Sequence, residues 1–379
     1  MRFVFFGAYN PAYPRSAVFR RGLKLVGAEV RECRVRAKFK VWARYPLLLF
    51  SWGRLRVGHR TAPGRPSDYL FVPEFCQKDV PLAKLLSLLT SKRLIFDPLA
   101  SRYETKIMDW KRKPADSPSA WWNLKIDGLA FRLADLILAD TAAHKDYYCR
   151  KYGVKPGKVE VLPLGYDDEL FKAGNVPGGF SGLSAKHPPM VPESVAREFH
   201  VLFFGSFLPL HGAEVIIEAA NIVAGQDPSV RFRLVGSGQT LPEIKAAASG
   251  LQNVDFLDWL PQDELPRAIE AADVCLGIFG RTEKAKRVVP HKIFQSMGMR
   301  KPVISARTPA VEEFFHHREH MILCDEPLPR TLAAGILELK KNPDLRRRIA
   351  ANGYQRVKEN HSPLAVAVRL VEILRTRFH

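Results

Sequence analysis

Short apolar, β-branched runs alternate with helix-patterned stretches along almost the whole chain, and this alternation restricts the fold more than any other feature. In the first half the runs are Phe3–Phe6, Val30–Val35, Tyr69–Val72, Leu94–Phe96, Leu136–Leu138 and Val159–Leu162. In the second half they are Val201–Phe204, Phe232–Val235, Val254–Leu257, Val274–Ile278, Pro302–Ser305 and Met321–Leu323. Continuous apolar runs of this length read as strands buried on both faces. Helical patterns lie between them, among them Ala213–Ala224, Pro261–Ala271 and His291–Met299. Strands alternating with helices predict an α/β chain with parallel sheets covered on both sides. The alternation stops once. From Lys172 to Glu198 no periodicity survives, and Gly174, Pro177, Gly178, Gly179, Gly182, Pro188, Pro189 and Pro192 dominate. Residues 171–199 therefore read as a linker between domains 1–170 and 200–360, and the 379-residue length suits two domains of ordinary size. Lys111–Ser119 reads as a polar loop inside the first domain. Residues 361–379 read as a C-terminal helix that packs back on the first domain.

Composition narrows the functional classes. Cys33, Cys76, Cys149, Cys275 and Cys324 are scattered, odd in number and without a CxxC pair, which argues against a disulfide framework or a zinc site. Arg2–Gly7 reads as a first strand rather than a signal peptide, and no apolar run is long enough to span a bilayer. A cytoplasmic protein, with or without contact to the inner face of the membrane, is expected. The net charge is +19, and residues 1–60 hold 14 Lys or Arg against Glu29 and Glu32, so this stretch carries +12 of it. Such an excess points to an anionic partner. The same stretch mixes its charges with Phe39, Val41, Trp42, Tyr45, Leu47, Leu48, Leu49, Phe50, Trp52 and Leu55. Apolar anchors among cations suit a helix at an anionic membrane surface, and a solvated basic face over an ordinary core helix fits equally well. No zinc finger or RNP-type motif accompanies them, which disfavours nucleic acid.

Open parallel sheets bind ligands at the carboxyl ends of their strands. In Phe203-Phe204-Gly205-Ser206-Phe207-Leu208-Pro209-Leu210-His211-Gly212, a glycine follows the strand directly and a helix start follows the loop, an arrangement that admits an anion. Val235-Gly236-Ser237-Gly238 is a tight turn without the dinucleotide fingerprint, because Thr240 and Leu241 follow. The strongest signal comes after Val274–Ile278. Arg281, Lys284, Lys286, Arg287 and Lys292 crowd the approach to a helix whose first turn is marked by Pro290 and His291. Cations at a helix N-terminus oppose its dipole, and a bound diphosphate relieves both. Ser305–Glu313 is a further strand end, with Glu312 and Glu313 as first-turn partners of the dipole.

These segments resemble the family 4 retaining glycosyltransferases of the GT-B fold, and a bacterial subgroup of them in particular. The carriers are Phe204–Gly212, Asn253–Pro261, Ala272–Phe279, Glu283–Lys284, Pro290–Gly298 and Lys301–Ile304, with Ala134–Thr141 and Val159–Asp167 in the first half. The resemblance implies two Rossmann-like domains with parallel sheets facing a central cleft. It implies sugar transfer from a nucleotide-sugar donor, such as a UDP- or GDP-sugar, to a glycan or lipid-linked acceptor, with retention at the anomeric carbon. No metal or other cofactor is implied. His211, Lys284 and Glu283 are the catalytic candidates. Gly205, Ser206, Gly212, Arg287, His291 and Lys292 would hold the diphosphate. Gly236, Ser237, Trp259, Leu260 and Gln295 would hold the nucleoside, and Gly7, Tyr9, Arg15 and Asp97 would lie on the acceptor side. Ser206 and His211 stand where the family usually has Arg and Lys, and Arg287 and Gln295 stand where it has a pair of glutamates. A nucleotide-sugar epimerase would need paired carboxylates at the sugar, which are not evident. A non-catalytic nucleotide-sugar-binding scaffold is the other alternative.

Overall fold

The computed structural model describes residues 1–36, 39, 41–55, 68–174 and 198–378. Most of the stretch read as a linker, and part of the basic segment at 37–60, lie outside the described residues. The chain divides into two units, one formed by Met1–Gly165 with the segment from His361 onward, the other by Tyr166–Asn360.

The first unit runs β1 (Arg2–Gly7), α1 (Pro14–Leu25), β2 (Glu29–Arg34), α2 (Val41–Arg54), β3 (Asp68–Val72), α3 (Val80–Leu89), β4 (Arg93–Phe96), a π-helical turn (Glu104–Asp109), α4 (Pro118–Leu133), β5 (Leu136–Ala139), α5 (Ala142–Tyr152) and β6 (Val159–Val161). Its six strands are parallel in the order β2-β1-β3-β4-β5-β6. Phe3, Phe5, Phe71, Leu94, Ile95 and Ile137 have no exposed surface, as strands covered on both faces require.

The second unit runs β7 (Phe199–Phe204), α6 (Ala213–Ala224), β8 (Val230–Val235), α7 (Leu241–Ala247), β9 (Val254–Leu257), α8 (Leu265–Glu270), β10 (Val274–Leu276), α9 (His291–Gly298), β11 (Val303–Ala306), α10 (Pro309–Glu312), β12 (Ile322–Cys324), α11 (Pro329–Lys341) and α12 (Pro343–Asn360). Its sheet is again six-stranded and parallel, ordered β12-β11-β10-β7-β8-β9. Strand order reverses between β7 and β10, so the loops leaving those strands diverge and open the crevice where such sheets take ligands. All twelve predicted strands are present. The helix predicted over Pro261–Ala271 is regular only over Leu265–Glu270, with Pro266 in its first turn, where a missing N–H costs nothing.

The last helix, α13 (Pro363–Phe378), belongs to the first unit and packs on α1. Val366, Leu370 and Leu374 join Val18, Phe19 and Leu23 in one core. His361 anchors its start, with Nδ1 2.8 Å from the Leu164 carbonyl oxygen.

Candidate active site

The site in the second unit is built where β7, β8 and the loop after β10 converge. Gly205 directly follows β7 and Gly236 directly follows β8, each with φ of 138°. The turns touch so closely that a Cβ on Gly236 would lie 1.9 Å from the Gly205 carbonyl oxygen. The space beside Gly205 belongs to Lys292: a Cβ there would lie 3.2 Å from the lysine Nζ and 3.7 Å from His211 Cε1. A side chain at position 205 would crowd the lysine terminus, and the φ of 138° favours glycine there.

His211 ends the 3₁₀ turn Pro209–His211, and its backbone nitrogen donates to Leu208 O at 2.8 Å. The β10 loop is tied to this turn, because Phe279 N donates to His211 O (2.9 Å) and Gly280 N to Leu210 O (3.2 Å). The two loops thus hold Gly205, His211 and Lys292 as one group. Lys292 is buried, its Nζ has no hydrogen-bond partner, and the ammonium sits 3.8 Å from the centroid of the Phe203 ring. Burial holds its pKa well below the ordinary lysine value. Burial also pushes the His211 imidazole well below its ordinary value. The charges of Lys292 and Lys284 add to this, and a hydrogen bond with the Ser206 backbone works the other way. His211 is therefore neutral, and its Nδ1 is buried without a partner. A buried lysine amine lacking an acceptor is costly unless an anion completes it.

The five cations of the loop do not act together. Lys286 pairs with Glu283 at 2.6 Å and Arg287 approaches it at 3.8 Å. Arg281 is exposed and reaches toward Pro327 O at 3.5 Å. Glu283 is exposed and tied to Lys286, which lowers its pKa. Lys284 makes its charge felt at His211, and His291 opens α9 beside Lys292. The first turn of α9 has no side-chain cap and no acidic residue. By contrast the β11 strand end is internally satisfied: Thr308 caps Val311 N at 3.2 Å, and Arg307 pairs with Glu312 and Asp325, each at 2.5 Å.

Gln295 lies one turn beyond Lys292 on α9, buried, with Nε2 3.5 Å from Gln262 Oε1. Ser237 and Trp259 are exposed, Leu260 is half-buried, Ser206 is half-buried, and Gly212 takes φ of 62° where its backbone meets Phe279. Sequence reasoning missed Phe203 and Gln262. A phenylalanine inside a strand reads as core, and nothing local reveals that a lysine lies over it.

In the first unit the acceptor-side candidates are engaged internally. Arg15 and Asp97 form a buried ion pair at 2.6 Å, and Arg15 also donates to Leu162 O (3.1 Å) and Pro163 O (3.3 Å). This pair ties the start of α1 to the ends of β4 and β6. Tyr9 is buried and donates to Glu32 at 3.0 Å. The Gly7 turn is closed by Asp79, which accepts from Ala8 N at 2.8 Å. Close by, His144 sits buried between Asp140 and Glu104, and Ser16 donates to Glu74. Burial lowers the His144 pKa, but the two carboxylates outweigh it and raise it to about 9. Burial, then the Asp97 charge, raises Glu74 to about 8.

Two parallel sheets with this strand order, and a ligand crevice at the switch point of the second, define the GT-B architecture. The chain has that fold. Residues 214–372 match the family model described as glycosyl transferase-like. A D-inositol 3-phosphate glycosyltransferase from Thermomonospora curvata is 28% identical over 232 residues, which are 58% of this chain and 52% of that protein. The chain thus spans about half the length of that curated relative. Among solved structures, Anabaena HepE in complex with UDP-glucose aligns with a TM-score of 0.69 at 17% identity, covering 99% of each chain. Sucrose-phosphate synthase from Thermosynechococcus elongatus aligns with a TM-score of 0.70 at 15% identity, over 100% of this chain and 98% of that one. In fold and sequence the chain resembles the family 4 glycosyltransferases.

Proposed function

We propose that the chain transfers a sugar from a nucleotide-sugar donor to a glycan or lipid-linked acceptor, with retention of anomeric configuration. The observation that carries this reading is the buried, unpartnered Lys292 ammonium beside neutral His211 and Gly205. As the glycosidic bond breaks, negative charge grows on the β-phosphate of the leaving nucleoside diphosphate. Lys292 and the first turn of α9 are fixed donors for that charge in a dry setting, where they act most strongly. The relieved β-phosphate then takes the proton of the incoming hydroxyl, so no protein nucleophile is needed. Gln295 with Gln262, and the backbone near Trp259, are the candidates to hold the nucleoside. HepE, which shares the fold, is known with UDP-glucose bound, which favours a UDP-linked donor. Epimerisation is disfavoured because Glu283, the carboxylate nearest the site in sequence, is exposed and ion-paired. The test is nucleotide-sugar hydrolysis and transfer with UDP- and GDP-sugars, alongside binding of the free diphosphates. Wild type should turn over at least one donor, and Lys292→Met should lose binding of the matching diphosphate. Absence of both binding and turnover for every donor refutes the reading.

A specific observation favours peripheral membrane contact through residues 1–60. On α2, Leu48 and Trp52 face the core while Trp42, Leu49 and Phe50 point outward, 77%, 46% and 63% exposed. The Arg54 guanidinium lies 4.9 Å from the Phe50 ring centroid. An exposed apolar stripe with a cation over one of its rings suits an anionic bilayer surface, and no helix among the described residues is long and apolar enough to cross a membrane. Trp42→Ser with Phe50→Ser should abolish co-sedimentation with anionic vesicles; unchanged co-sedimentation refutes the contact.

A further inference from the structure

The carboxyl edge of the sheet in the first unit gathers more positive charge than its ion pairs neutralise: Arg44 pairs with Asp79, and Arg102 donates to the uncharged Asn123 Oδ1 at 3.2 Å. The loop after β3 and the loop after β4 are stitched together by Gln77 Nε2, which donates to Ala100 O at 2.8 Å. Helix α2 joins them, with Tyr45 Oη donating to Lys78 O (2.7 Å) and Arg44 Nη1 to Asp79 Oδ1 (3.3 Å). Arg44, Lys78, Arg102 and Lys106 thus arrive from three separate segments, α2, the loop after β3 and the helical stretch after β4, and all four are half-buried rather than extended into solvent. Arg112 stands just beyond, its backbone nitrogen bonded to Lys106 O at 3.0 Å.

These charges act on one another. Burial, then Arg102 and Arg44, push Lys78 below its ordinary value. Burial, then Arg102, Lys78 and Arg112, do the same to Lys106. Arg102 is lowered by burial, with Arg44 adding and Asp127 opposing. The acids felt here are Asp79 and Asp127, and both are already engaged. Asp79 accepts from Ala8 N and Arg44; Asp127 accepts from Tyr103 N (2.8 Å) and Tyr152 Oη (3.2 Å). Five cations against two occupied carboxylates leave an excess that a neutral ligand would not relieve. Like charges are ordinarily dispersed over a surface, and convergence from several elements is the arrangement that binds phosphate oxygens, with arginine as a fork and lysine as a point charge.

We propose that Arg44, Lys78, Arg102 and Lys106 form a subsite for a phosphate or diphosphate group carried by the acceptor. The acceptor is then a phosphorylated sugar or a lipid-linked phosphate, rather than a neutral glycan. This rests on the first unit's being the acceptor half of a transferase.

The full chain is titrated with two probes, with UDP present to occupy the second unit. Glucose 6-phosphate stands for a soluble sugar phosphate. Phosphatidylcholine vesicles containing phosphatidate, compared with vesicles of equal charge made with phosphatidylglycerol, stand for a lipid phosphate. At least one phosphate probe should bind wild type. Lys78→Gln with Lys106→Gln should weaken that binding about fivefold or more, each fivefold step being about 1 kcal/mol. Lys78→Arg with Lys106→Arg should retain it. The charge-matched control on α4, Lys125→Gln with Arg132→Gln, should leave it within about twofold. UDP affinity should be unchanged throughout. Binding of glucose 6-phosphate alone assigns a soluble acceptor, and selective binding of phosphatidate vesicles assigns a lipid-linked one. The subsite is refuted if neither probe binds wild type, if the lysine-to-glutamine pair has no effect, or if the α4 control weakens binding as much. Failure of UDP to bind would instead overturn the donor reading, and the phosphate titrations, repeated without UDP, would still decide the subsite.

Discussion

Replacing Lys292 by methionine should raise the stability of the ligand-free protein and at the same time remove its response to a nucleoside diphosphate. A buried ammonium without a partner costs several kcal/mol of desolvation. The Phe203 face at 3.8 Å returns up to about 2 kcal/mol, and the α9 dipole works against a cation in its first turn by about 0.3–1 kcal/mol. Methionine keeps the length of the side chain and removes the charge, so a net gain of about 1–3 kcal/mol is expected. For a unit the size of Tyr166–Asn360 that is about 3–10 °C in Tm. The sign of the pH dependence follows from the lowered lysine pKa. The charged form is disfavoured in the folded state, so the cost is full below the folded value and fades as pH climbs toward the unfolded value of about 10.4. The advantage of the variant should shrink over the same range. Thermal unfolding followed by tryptophan fluorescence, with and without UDP at a hundredfold excess over Kd, reads both effects. Wild type should gain about 2.7 kcal/mol from the ligand, and the variant little or nothing. A variant that melts lower than wild type yet keeps the full UDP shift would make Lys292 a structural residue and refute the reasoning.

Gly236→Ala should cost more than about 3 kcal/mol, because its Cβ would enter the Gly205 carbonyl and its φ of 138° excludes other residues; a urea midpoint near wild type contradicts this. Arg15→Met should destabilise the first unit by about 3–5 kcal/mol by stranding buried Asp97, and Asp97→Leu in the same chain should recover most of the loss. If the single variant melts normally but loses transfer, Arg15 is an acceptor contact after all. The raised pKa values of His144 and Glu74 both favour the protonated form on folding. His144 contributes stability in full below about 6.5, lost as pH rises through about 9. The Glu74 contribution is full below 4.5 and is lost through about 8. The first unit should therefore be less stable at pH 9 than at pH 6, and His144→Asn with Glu74→Gln should flatten that slope in chemical denaturation.

Much of the fold was legible because a strand buried on both faces announces itself locally. Phe3–Phe6 and Val201–Phe204 need no distant partner to be read, and each fell inside an observed strand. The glycines after β7 and β8 were legible for the same reason. The site was legible only in part. Arg281, Lys284, Lys286, Arg287 and Lys292 look alike in sequence, whereas in space Glu283 gathers Lys286 and Arg287, Arg281 turns away, and Lys292 alone enters the interior. Arg15 and Asp97 looked like groups facing a ligand because they follow strands, but they face each other.

The order of residue types along the chain thus determined the alternation of strand and helix, the parallel sheets and the two-domain plan, since these depend on periodicity and on burial of contiguous apolar segments. Only the tertiary structure decided which charges meet. Arg44, Lys78, Arg102 and Lys106 lie on three separate segments, and Lys292 reaches His211 from 81 positions away. An electrostatic interaction depends on distance and on exclusion of water, and both are set by how the chain returns on itself, not by neighbours in sequence.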